Sequence, residues 1–289
     1  MKLSKILVTG VGGPAGRGVT SLLLERGVDV VGTDMKWVEM DGIHFHQVPA
    51  ADDPQLLPTV HLIANQEGVD LIIPTVSEEL PVFSQSWQWQ AELPVLISSA
   101  SAVETANDKF LTSLALSAAN VSVPRFCLPS QLYSPDELAS KIGWPCISKP
   151  RIGRGGREVL LHEEEDWSFI TILGDNYILQ EFAGGTDYAP NVYASPKGQS
   201  TVVVLEKTEL KEGRVGNAKS VRRAQDEDVA ALAKAAALAL GLVGPLDIDI
   251  RRKADGKPVV LEINARFGAN IRYAPEVFEA ALDGYLEKS

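Results

Sequence analysis

Cysteine and histidine are scarce in this sequence. The 289 residues include two cysteines and four histidines. His44 and His46 are two residues apart, but no cysteine or third ligand at zinc spacing accompanies them. The two cysteines, Cys127 and Cys146, also lack the pattern of a disulfide framework. So few cysteines favour a reducing compartment, and we therefore expect a cytoplasmic protein.

Long apolar runs are missing as well. No stretch of 18 apolar residues occurs, so no membrane-spanning helix is expected. The first residues, MKLSKILVTG, enter a predicted strand without a cleavage pattern, which argues against a signal peptide. The sequence also lacks the motifs G-x-x-x-x-G-K-(S/T) and G-x-S-x-G. These absences argue against a P-loop nucleotidase and a hydrolase built on a nucleophile elbow.

Positive charge is in deficit. The formal net charge is −11, which makes a general nucleic-acid-binding protein a poor interpretation. Lysine and arginine are concentrated in the second part of the chain, whereas the first 105 residues are strongly acidic. This distribution favours a local anion-binding site over an extended basic surface.

The first 105 residues alternate between predicted strands and helices. KILVTG, VDVVGTD, DLIIPT and VLISS have the composition of buried strands, and helical patterns such as VHLIANQEG lie between them. Alternation of this kind indicates a parallel sheet. We therefore predict a small doubly wound α/β domain.

A glycine-rich turn follows the first strand, in the stretch KILVTGVGGPAGRG. Gly10, Gly12 and Ala15 fit the loose dinucleotide fingerprint G-x-G-x-x-(G/A). Asp34 ends the next strand, at about the distance expected of a ribose-binding acid. On its own, this stretch favours an NAD-dependent oxidoreductase.

The second part of the chain favours antiparallel sheets, since several of its strands form predicted hairpins. In the last hairpin, Asp255-Gly256 predicts a two-residue type I′ turn that places Ala254 opposite Lys257. The same register pairs Asp249 with Glu262, and Asp247 with Asn264.

These four oxygen-bearing side chains should share one face of the hairpin. Like charges directly opposite each other cost about 0.2–1 kcal/mol in a sheet, and a divalent cation would reverse that cost. Carboxylate and amide oxygens are ligands that suit Mg²⁺. The alternative is a solvated acidic face with Arg251 and Arg266 as counterions.

A basic glycine-rich loop follows another strand, in CISKPRIGRGGREV. Lys149 ends a buried-type strand, where an unpaired lysine is rare, and three glycines and three arginines come directly after it. Glycines let backbone amides approach a polyphosphate closely. The alternative is an exposed hairpin turn. Lys109 lies in the first turn of a helix with Asn107 or Asp108 as its N-cap, where a cation opposes the helix dipole unless it faces a phosphate.

The order of these motifs along the chain resembles the ATP-grasp superfamily. NDK comes first, followed by the strand ending in KP with its G-R-G-G loop, QEFAGGTDY, DID and EINARFG. Within that superfamily the chain is most similar to the carbamoyl-phosphate-synthase-like branch of carboxylate ligases. The resemblance implies a Rossmann-like (pre-ATP-grasp) α/β domain at residues 1–105. An α+β ATP-grasp fold with two antiparallel-sheet subdomains would follow, at residues 106–183 (the lid) and 184–289.

The resemblance also implies a role for particular residues, with ATP between the two antiparallel sheets. Lys149 and Arg266 would be catalytic, with Arg266 holding the acyl phosphate or the substrate carboxylate. The nucleotide would be bound by Lys109, Lys149, Arg154, Gly155, Gly156, Gln180, Glu181, Phe182 and Asp187. Mg²⁺ or Mn²⁺ would be held by Asp249, Glu262 and Asn264, and Asp247 is left without a role.

The implied activity is that of a ligase. ATP would phosphorylate a small carboxylate, and an amine would then attack the acyl phosphate, with release of ADP and phosphate. The expected partners are these small substrates, without nucleic acid or membrane, and a homodimer is left open. Two alternatives remain: an NAD(P)-binding oxidoreductase that uses the N-terminal glycine turn, and a nucleotide-binding module without turnover.

Overall fold

Four parallel strands build the N-terminal sheet: β1 (Lys5–Thr9), β2 (Asp29–Asp34), β3 (Ile43–Gln47) and β4 (Leu71–Ile73), in the spatial order β3-β2-β1-β4. The structure is a computed structural model that describes residues 3–85, 94–153, 155–212 and 215–286, without the side chains of residues 211–217. The parallel sheet agrees with the alternation in the sequence. The predicted strand VLISS differs, because only Val95 forms a bridge, to Ile72.

Helices cover both faces of this sheet, which explains its continuously apolar strands. The helices of this part are α1 (Pro14–Glu25), α2 (Leu56–Glu67), α3 (Leu80–Gln85) and α4 (Ala100–Asn107). Ile6 and Val8 of β1 pack on the side of α1, whereas Leu7 packs on the side of α2. Successive strand residues thus enter two different cores.

The second sheet is antiparallel and lies in the middle of the chain. Its strands are β5 (Phe126–Cys127), β6 (Cys146–Pro150), β7 (Leu160–His162) and β8 (Tyr177–Glu181), in the order β5-β8-β6-β7. The helices around it are α5 (Lys109–Ala118), α6 (Pro135–Lys141) and α7 (Trp167–Ile170). Cys127 and Cys146 are free and buried in its core. Burial raises their pKa values to about 11 and about 12, so both thiols stay protonated and serve packing.

The third sheet is antiparallel and has seven strands. They are β9 (Asp187–Tyr188), β10 (Asn191–Ala194), β11 (Ser200–Val203), β12 (Leu205–Glu212), β13 (Val215–Arg223), β14 (Gly244–Arg252) and β15 (Pro258–Asn264). Helix α8 (Glu227–Ala239), capped by Asp226, covers one face. Leu246, Ile248 and Ile250 of β14 face that helix and its apolar cluster. The alternate residues of β14, including Asp247 and Asp249, therefore face the other side.

The hairpin of β14 and β15 corrects one detail of the sequence analysis. The turn has three residues rather than two, since Lys253 N donates to Lys257 O (2.9 Å) and Gly256 has φ +84°. That change alone would shift the whole register by one residue. A bulge at Leu261 restores it, so Asp249 still pairs with Glu262. The prediction of the turn was wrong, and the predicted pairing of the two carboxylates is confirmed.

The C-terminal helix joins the last sheet to the first. Helix α9 (Pro275–Leu286) contributes Val277 and Phe278 to the same apolar cluster as Val8 of β1. The turn before it, Ile271–Tyr273, packs against α1 so closely that a Cβ on Gly18 would lie 2.8 Å from Ile271 Cγ2. Among the described residues, no helix has the length and apolar character needed to cross a membrane.

Candidate functional site

An open cleft of about 830 Å³ separates the second sheet from the third. Among the described residues, five basic and four acidic ones line it, which is a high density of charge for one cleft. The basic residues are Lys109, Lys149, Arg157, Lys207 and Arg251, and the acidic ones are Glu181, Asp187, Asp249 and Glu262. Most residues that the sequence analysis selected thus meet in one place.

Lys149 reaches into this cleft from the end of β6. The residue is 6% exposed, and its Nζ donates a hydrogen bond to the carbonyl oxygen of Leu261 (3.0 Å). Leu261 is the bulged residue of β15, so its carbonyl is turned out of the ladder. Burial lowers the pKa of Lys149 to about 8, although Glu262 favours the charged form. A cation held this weakly by its own protein is suited to an anionic ligand.

Lys109 approaches the same place from the first turn of α5. Its Nζ donates to Gly153 O (2.9 Å) and lies 3.4 Å from Glu262 Oε2. Asp108 caps the helix, as predicted, by accepting from the N–H groups of Phe110 and Leu111. Lys109 therefore ties the glycine-rich loop to the third sheet.

Asp108 also fixes the base of that loop. Its carboxylate accepts three hydrogen bonds from the Arg151 guanidinium, the shortest at 2.6 Å, and Lys109 N donates to Arg151 O (2.9 Å). Although burial opposes it, this guanidinium helps to hold the pKa of Asp108 below its usual range. The start of α5 and the base of the loop are thus tied together.

The glycine-rich loop itself contributes Gly153, Gly156 and Arg157 to the cleft lining. Gly155 and Gly156 have φ +72° and +67°, and residues other than glycine rarely adopt such backbone angles. Gly155 lies in the loop without lining the cleft. Arg154, also selected from the sequence, lies outside the described residues.

The end of β8 forms the opposite wall. Gln180 is buried and donates from Nε2 to Ser113 Oγ (3.1 Å). The Glu181 carboxylate lies between Lys253 (3.0 Å) and Arg125 (3.3 Å). Partial burial opposes ionisation, yet these cations hold the pKa of Glu181 below its usual range. Glu181 thereby links the second sheet to the third, and its charge is already compensated.

Phe182 follows Glu181 and adds an aromatic ring to the wall. The Arg251 guanidinium lies over that ring, 5.3 Å from its centroid. Ala183 lines the cleft next to it. This end of the cleft therefore combines an aromatic ring with the arginine side chain that lies over it.

Asp249 and Glu262 face each other across β14 and β15, on the floor of the cleft. Burial and the nearby Glu262 raise the pKa of Asp249, although Lys207 opposes this. The pKa of Glu262 is lowered despite its burial, because Lys109 and Lys149 stabilise its charge. The pair thus has the closely spaced oxygens that the sequence predicted.

Lys207 was missed by the sequence analysis. It lies on β12, with its side chain 8% exposed, and its Nζ is 2.6 Å from Asp249 Oδ1 and 3.2 Å from Asp187 Oδ1. Both carboxylates raise its pKa despite burial. The signal in the sequence is a lysine two residues after an apolar run, VVVL in the stretch TVVVLEK. Its partners come from other strands, so spacing alone does not identify them.

Asn264 and Arg266 lie beyond the floor of the cleft. Asn264 lines a small adjoining cavity together with Lys109, Glu262 and Ser77. The Arg266 guanidinium donates to Asp247 Oδ2 (3.1 Å) and to Ser77 Oγ (3.3 Å). Ser77 belongs to the loop after β4, so the N-terminal part reaches this end of the site. Asp247, left without a role above, is the ion-pair partner of Arg266.

The N-terminal glycine turn lies apart from the cleft and uses its own polar groups. Asp34 Oδ2 accepts from Gly12 N (2.9 Å), and Oδ1 accepts from Lys36 N (3.1 Å). A Cβ on Gly16 would lie 2.2 Å from Gly10 O, so the glycines serve close packing of turn and helix. Because Asp34 is engaged by the backbone, the geometry does not favour the oxidoreductase alternative.

The family model of the ATP-grasp domain matches residues 106–270 of this sequence. These residues include the whole cleft and more than half of the chain. The chain therefore belongs to the ATP-grasp family, and it has the ATP-grasp fold.

Individual relatives agree with this assignment. A probable alpha-L-glutamate ligase of Mannheimia succiniciproducens is 27% identical over 196 residues, which is 63% of this chain and 64% of that protein. Among solved structures, the L-amino acid ligase from Bacillus licheniformis is similar with a TM-score of 0.70 and 18% identity, over 98% of this chain and 75% of the other. N5-carboxyaminoimidazole ribonucleotide synthetase from Thermotoga maritima is similar with a TM-score of 0.70 and 19% identity, over 99% of this chain and 76% of the other.

Proposed function

We propose that this protein is an ATP- and Mg²⁺-dependent ligase that activates a small carboxylate as an acyl phosphate for attack by an amine. One observation carries the proposal: three lysines, two of them buried and the third with a side chain 8% exposed, meet two facing carboxylates in the cleft of an ATP-grasp fold. The lysines are Lys109, Lys149 and Lys207, and the carboxylates are Asp249 and Glu262.

In this proposal Lys109 and Lys149 bind the phosphates of ATP. In the structure, Lys109 Nζ donates to Gly153 O and Lys149 Nζ donates to Leu261 O. When ATP binds, each ammonium exchanges this neutral acceptor for a charged phosphate oxygen. Charge-assisted hydrogen bonds of that kind are about twice as strong as neutral ones. The loop with Arg154, Gly155 and Gly156 closes over the phosphates, and residues 180–183 hold the adenine. Asp187 lies on the ribose side.

The oxygens of Asp249, Glu262 and Asn264 fit Mg²⁺, which prefers hard ligands and shares them with substrate phosphates. The half-buried carboxylates of Asp249 and Glu262 lie opposite each other in the ladder, an arrangement that a cation stabilises. When bound, the metal ion would neutralise and orient the phosphates. Mn²⁺ suits the same donors.

The reaction then needs no side-chain nucleophile. An oxygen of the substrate carboxylate attacks the γ-phosphorus, and the bond to the β-phosphate oxygen breaks, which gives an acyl phosphate and ADP. The amine then attacks the acyl carbon and displaces phosphate, with loss of a proton, to give the amide. Lys149 stabilises the transferring group, and Arg266 holds the acyl phosphate or the carboxylate. Asp247 and Ser77 fix the orientation of Arg266.

The N-terminal parallel sheet would be the Rossmann-like pre-ATP-grasp domain, with the boundaries 1–105, 106–183 and 184–289 for the three parts. Because Ser77 of this domain contacts Arg266, we infer that the domain contributes to the substrate end of the site. Because two of the relatives are named as amino-acid ligases, we propose amino acids as the first carboxylates and amines to test. A cytoplasmic location and a homodimer belong to the same proposal.

Trapping of the acyl phosphate tests the proposed function. Purified protein is incubated with ATP, Mg²⁺, hydroxylamine and a panel of amino acids and other small carboxylates. We expect ADP and an acyl hydroxamate to form in equal amounts with at least one carboxylate, and neither to form without ATP. Nucleotide binding without ADP release for any carboxylate and amine would instead indicate a nucleotide-binding module without turnover.

A further inference from the structure

A small cavity joins the cleft to the N-terminal part of the chain. Its volume is about 350 Å³, and it shares Lys109, Gly153 and Glu262 with the lining of the cleft. Ser77 lies at its other end, where Ser77 Oγ accepts a hydrogen bond from Arg266 Nε (3.3 Å). The cavity therefore extends from the lysine proposed to bind phosphates towards the arginine proposed to hold the substrate carboxylate.

Charge is found only where this cavity meets the cleft. Among the described residues of the lining, Lys109 and Glu262 are the charged ones, and both also line the cleft. In the proposed function these two side chains serve the phosphates and the metal ion. The cavity thus offers no counterion to a second charge on the substrate, and a charged group that entered it would lose its hydration without compensation.

The inner wall of the cavity is apolar. Leu80 begins α3, and Val103 and Ala106 belong to α4; each of the three is at most 4% exposed. An aliphatic group that enters this space gains free energy from its removal from water. The remaining polar side chains of the lining are neutral, and they belong to Ser77, Asn107 and Asn264.

The reaction restricts where the substrate carboxylate can lie. Its oxygen must approach the γ-phosphorus from the side opposite to ADP, since the attacking and leaving oxygens are roughly in line. With the adenine at residues 180–183, that side is the other end of the cleft, where Lys109 and Glu262 border the cavity. The carbon chain next to the carboxylate then has the cavity beside it.

We propose that this cavity is the side-chain pocket of the substrate carboxylate, and that it selects acids with a short, uncharged aliphatic chain over acids whose chain ends in a second charge. The inference rests on the proposed function, which places the carboxylate between Arg266 and the phosphates. Leu80 and Ala106 limit the length of the chain, because they form part of the apolar wall.

Matched pairs of acids test the preference for an uncharged chain. Butyrate is compared with succinate, and L-norvaline with L-glutamate, because the members of each pair have equal chain lengths and differ by a terminal carboxylate. Hydroxylamine traps the acyl phosphate, so the natural amine need not be known. In each pair that is turned over, we expect kcat/KM to be at least about tenfold higher for the uncharged acid. Equal or higher values for the charged acid would overturn the inference.

Two substitutions test the wall of the pocket. Ala106→Val narrows it and Leu80→Ala widens it, whereas Ala102→Val is the matched control, since Ala102 is buried on the same helix outside the lining. Thermal unfolding checks that the variants are folded. Each protein is assayed with L-norvaline and L-alanine, or with butyrate and propionate, and the ratio of the two kcat/KM values cancels any loss of active protein.

The ratio of the longer to the shorter acid should fall about tenfold in Ala106→Val, rise in Leu80→Ala and stay at the wild-type value in Ala102→Val. A ratio that neither Ala106→Val nor Leu80→Ala changes would overturn the inference. An equal fall in Ala102→Val would do the same, because it would show a general effect of core packing.

Binding without turnover separates this inference from the proposed function. Saturation-transfer NMR compares butyrate with succinate on protein loaded with Mg²⁺ and a non-hydrolysable ATP analogue. We expect a stronger signal for butyrate, which weakens in Ala106→Val and persists in Ala102→Val. Failure of every acid to give ADP and hydroxamate refutes the proposed function. Hydroxamate formation together with equal signals for the two acids refutes only the side-chain pocket.

Discussion

Two glycine-rich turns of this protein look alike in sequence and differ in what surrounds them. The turn at Gly10–Gly16 is closed on itself, because Asp34 accepts the Gly12 N–H group (2.9 Å) and the Gly10 carbonyl packs against Gly16. The loop at Gly153–Arg157 opens into a cleft lined by three lysines, of which Lys109 and Lys149 are buried. A glycine-rich pattern therefore indicates only that the backbone can come close to another group. The charges around the turn decide whether that group is the protein's own backbone or an anionic ligand.

The largest effect should come from the floor of the second region. Glu262→Gln keeps the shape of the side chain and removes the charge that faces Asp249. We expect turnover with Mg²⁺ to fall by at least about 10²-fold, with the fold retained by circular dichroism. Glu209→Gln, an exposed carboxylate on the same sheet, is the control and should keep full activity. Retained activity in Glu262→Gln would take Glu262 out of the metal site.

Lys149→Ala should weaken nucleotide binding next most strongly. The substitution removes a buried ammonium that now donates to Leu261 O, so we expect metal-free ATP to bind about 10- to 100-fold more weakly in calorimetry. Lys141→Ala, on the exposed side of α6, is the control and should bind normally. An unchanged affinity in Lys149→Ala would leave the second loop without its proposed ligand.

The pH dependence of binding sharpens the same assignment. Burial lowers the pKa of Lys149 to about 8, so the empty site loses this charge as pH rises through 8. Between pH 7 and pH 9 we expect the affinity for metal-free ATP to fall about tenfold relative to Lys149→Arg, whose guanidinium stays charged. Parallel pH profiles of the two proteins would show that Lys149 does not bind the phosphates.

A substitution in the turn at Gly10–Gly16 should lower the stability of the protein and have the smallest effect on ATP binding. Asp34→Ala leaves the Gly12 N–H group without its acceptor, so we expect a loss of about 1–3 kcal/mol in the free energy of unfolding. Affinity for ATP should not change, because Asp34 lies outside the cleft. Denaturant unfolding and calorimetry on one preparation measure both quantities. A weakened ATP affinity with intact stability would reverse the comparison.

Much of the second region could be predicted because its key residues depend on local rules. Lys149 stands out as a lysine in a buried strand, and the sequence predicts the N-cap of α5 at Asn107 or Asp108, of which the structure selects Asp108. The pairing of Asp249 with Glu262 was predicted from a turn that the structure corrects. The turn has one residue more than expected, and the bulge at Leu261 compensates.

The residues that were missed depend on contacts between distant strands. Lys207 has its partners on β9 and β14, and no local pattern reports which strands become neighbours. Glu181 was expected to serve the nucleotide, and its engagement by Arg125 and Lys253 is likewise a long-range effect. Asp247 had no role in the sequence and acquires one only because the chain returns to place Arg266 beside it.

The position of a bound nucleotide tests the central claim most directly. A crystal structure with a non-hydrolysable ATP analogue and Mg²⁺ should place the adenine against residues 180–183. Its phosphates should lie between Lys109 and Lys149. A nucleotide bound over the turn at Gly10–Gly16 would contradict the account.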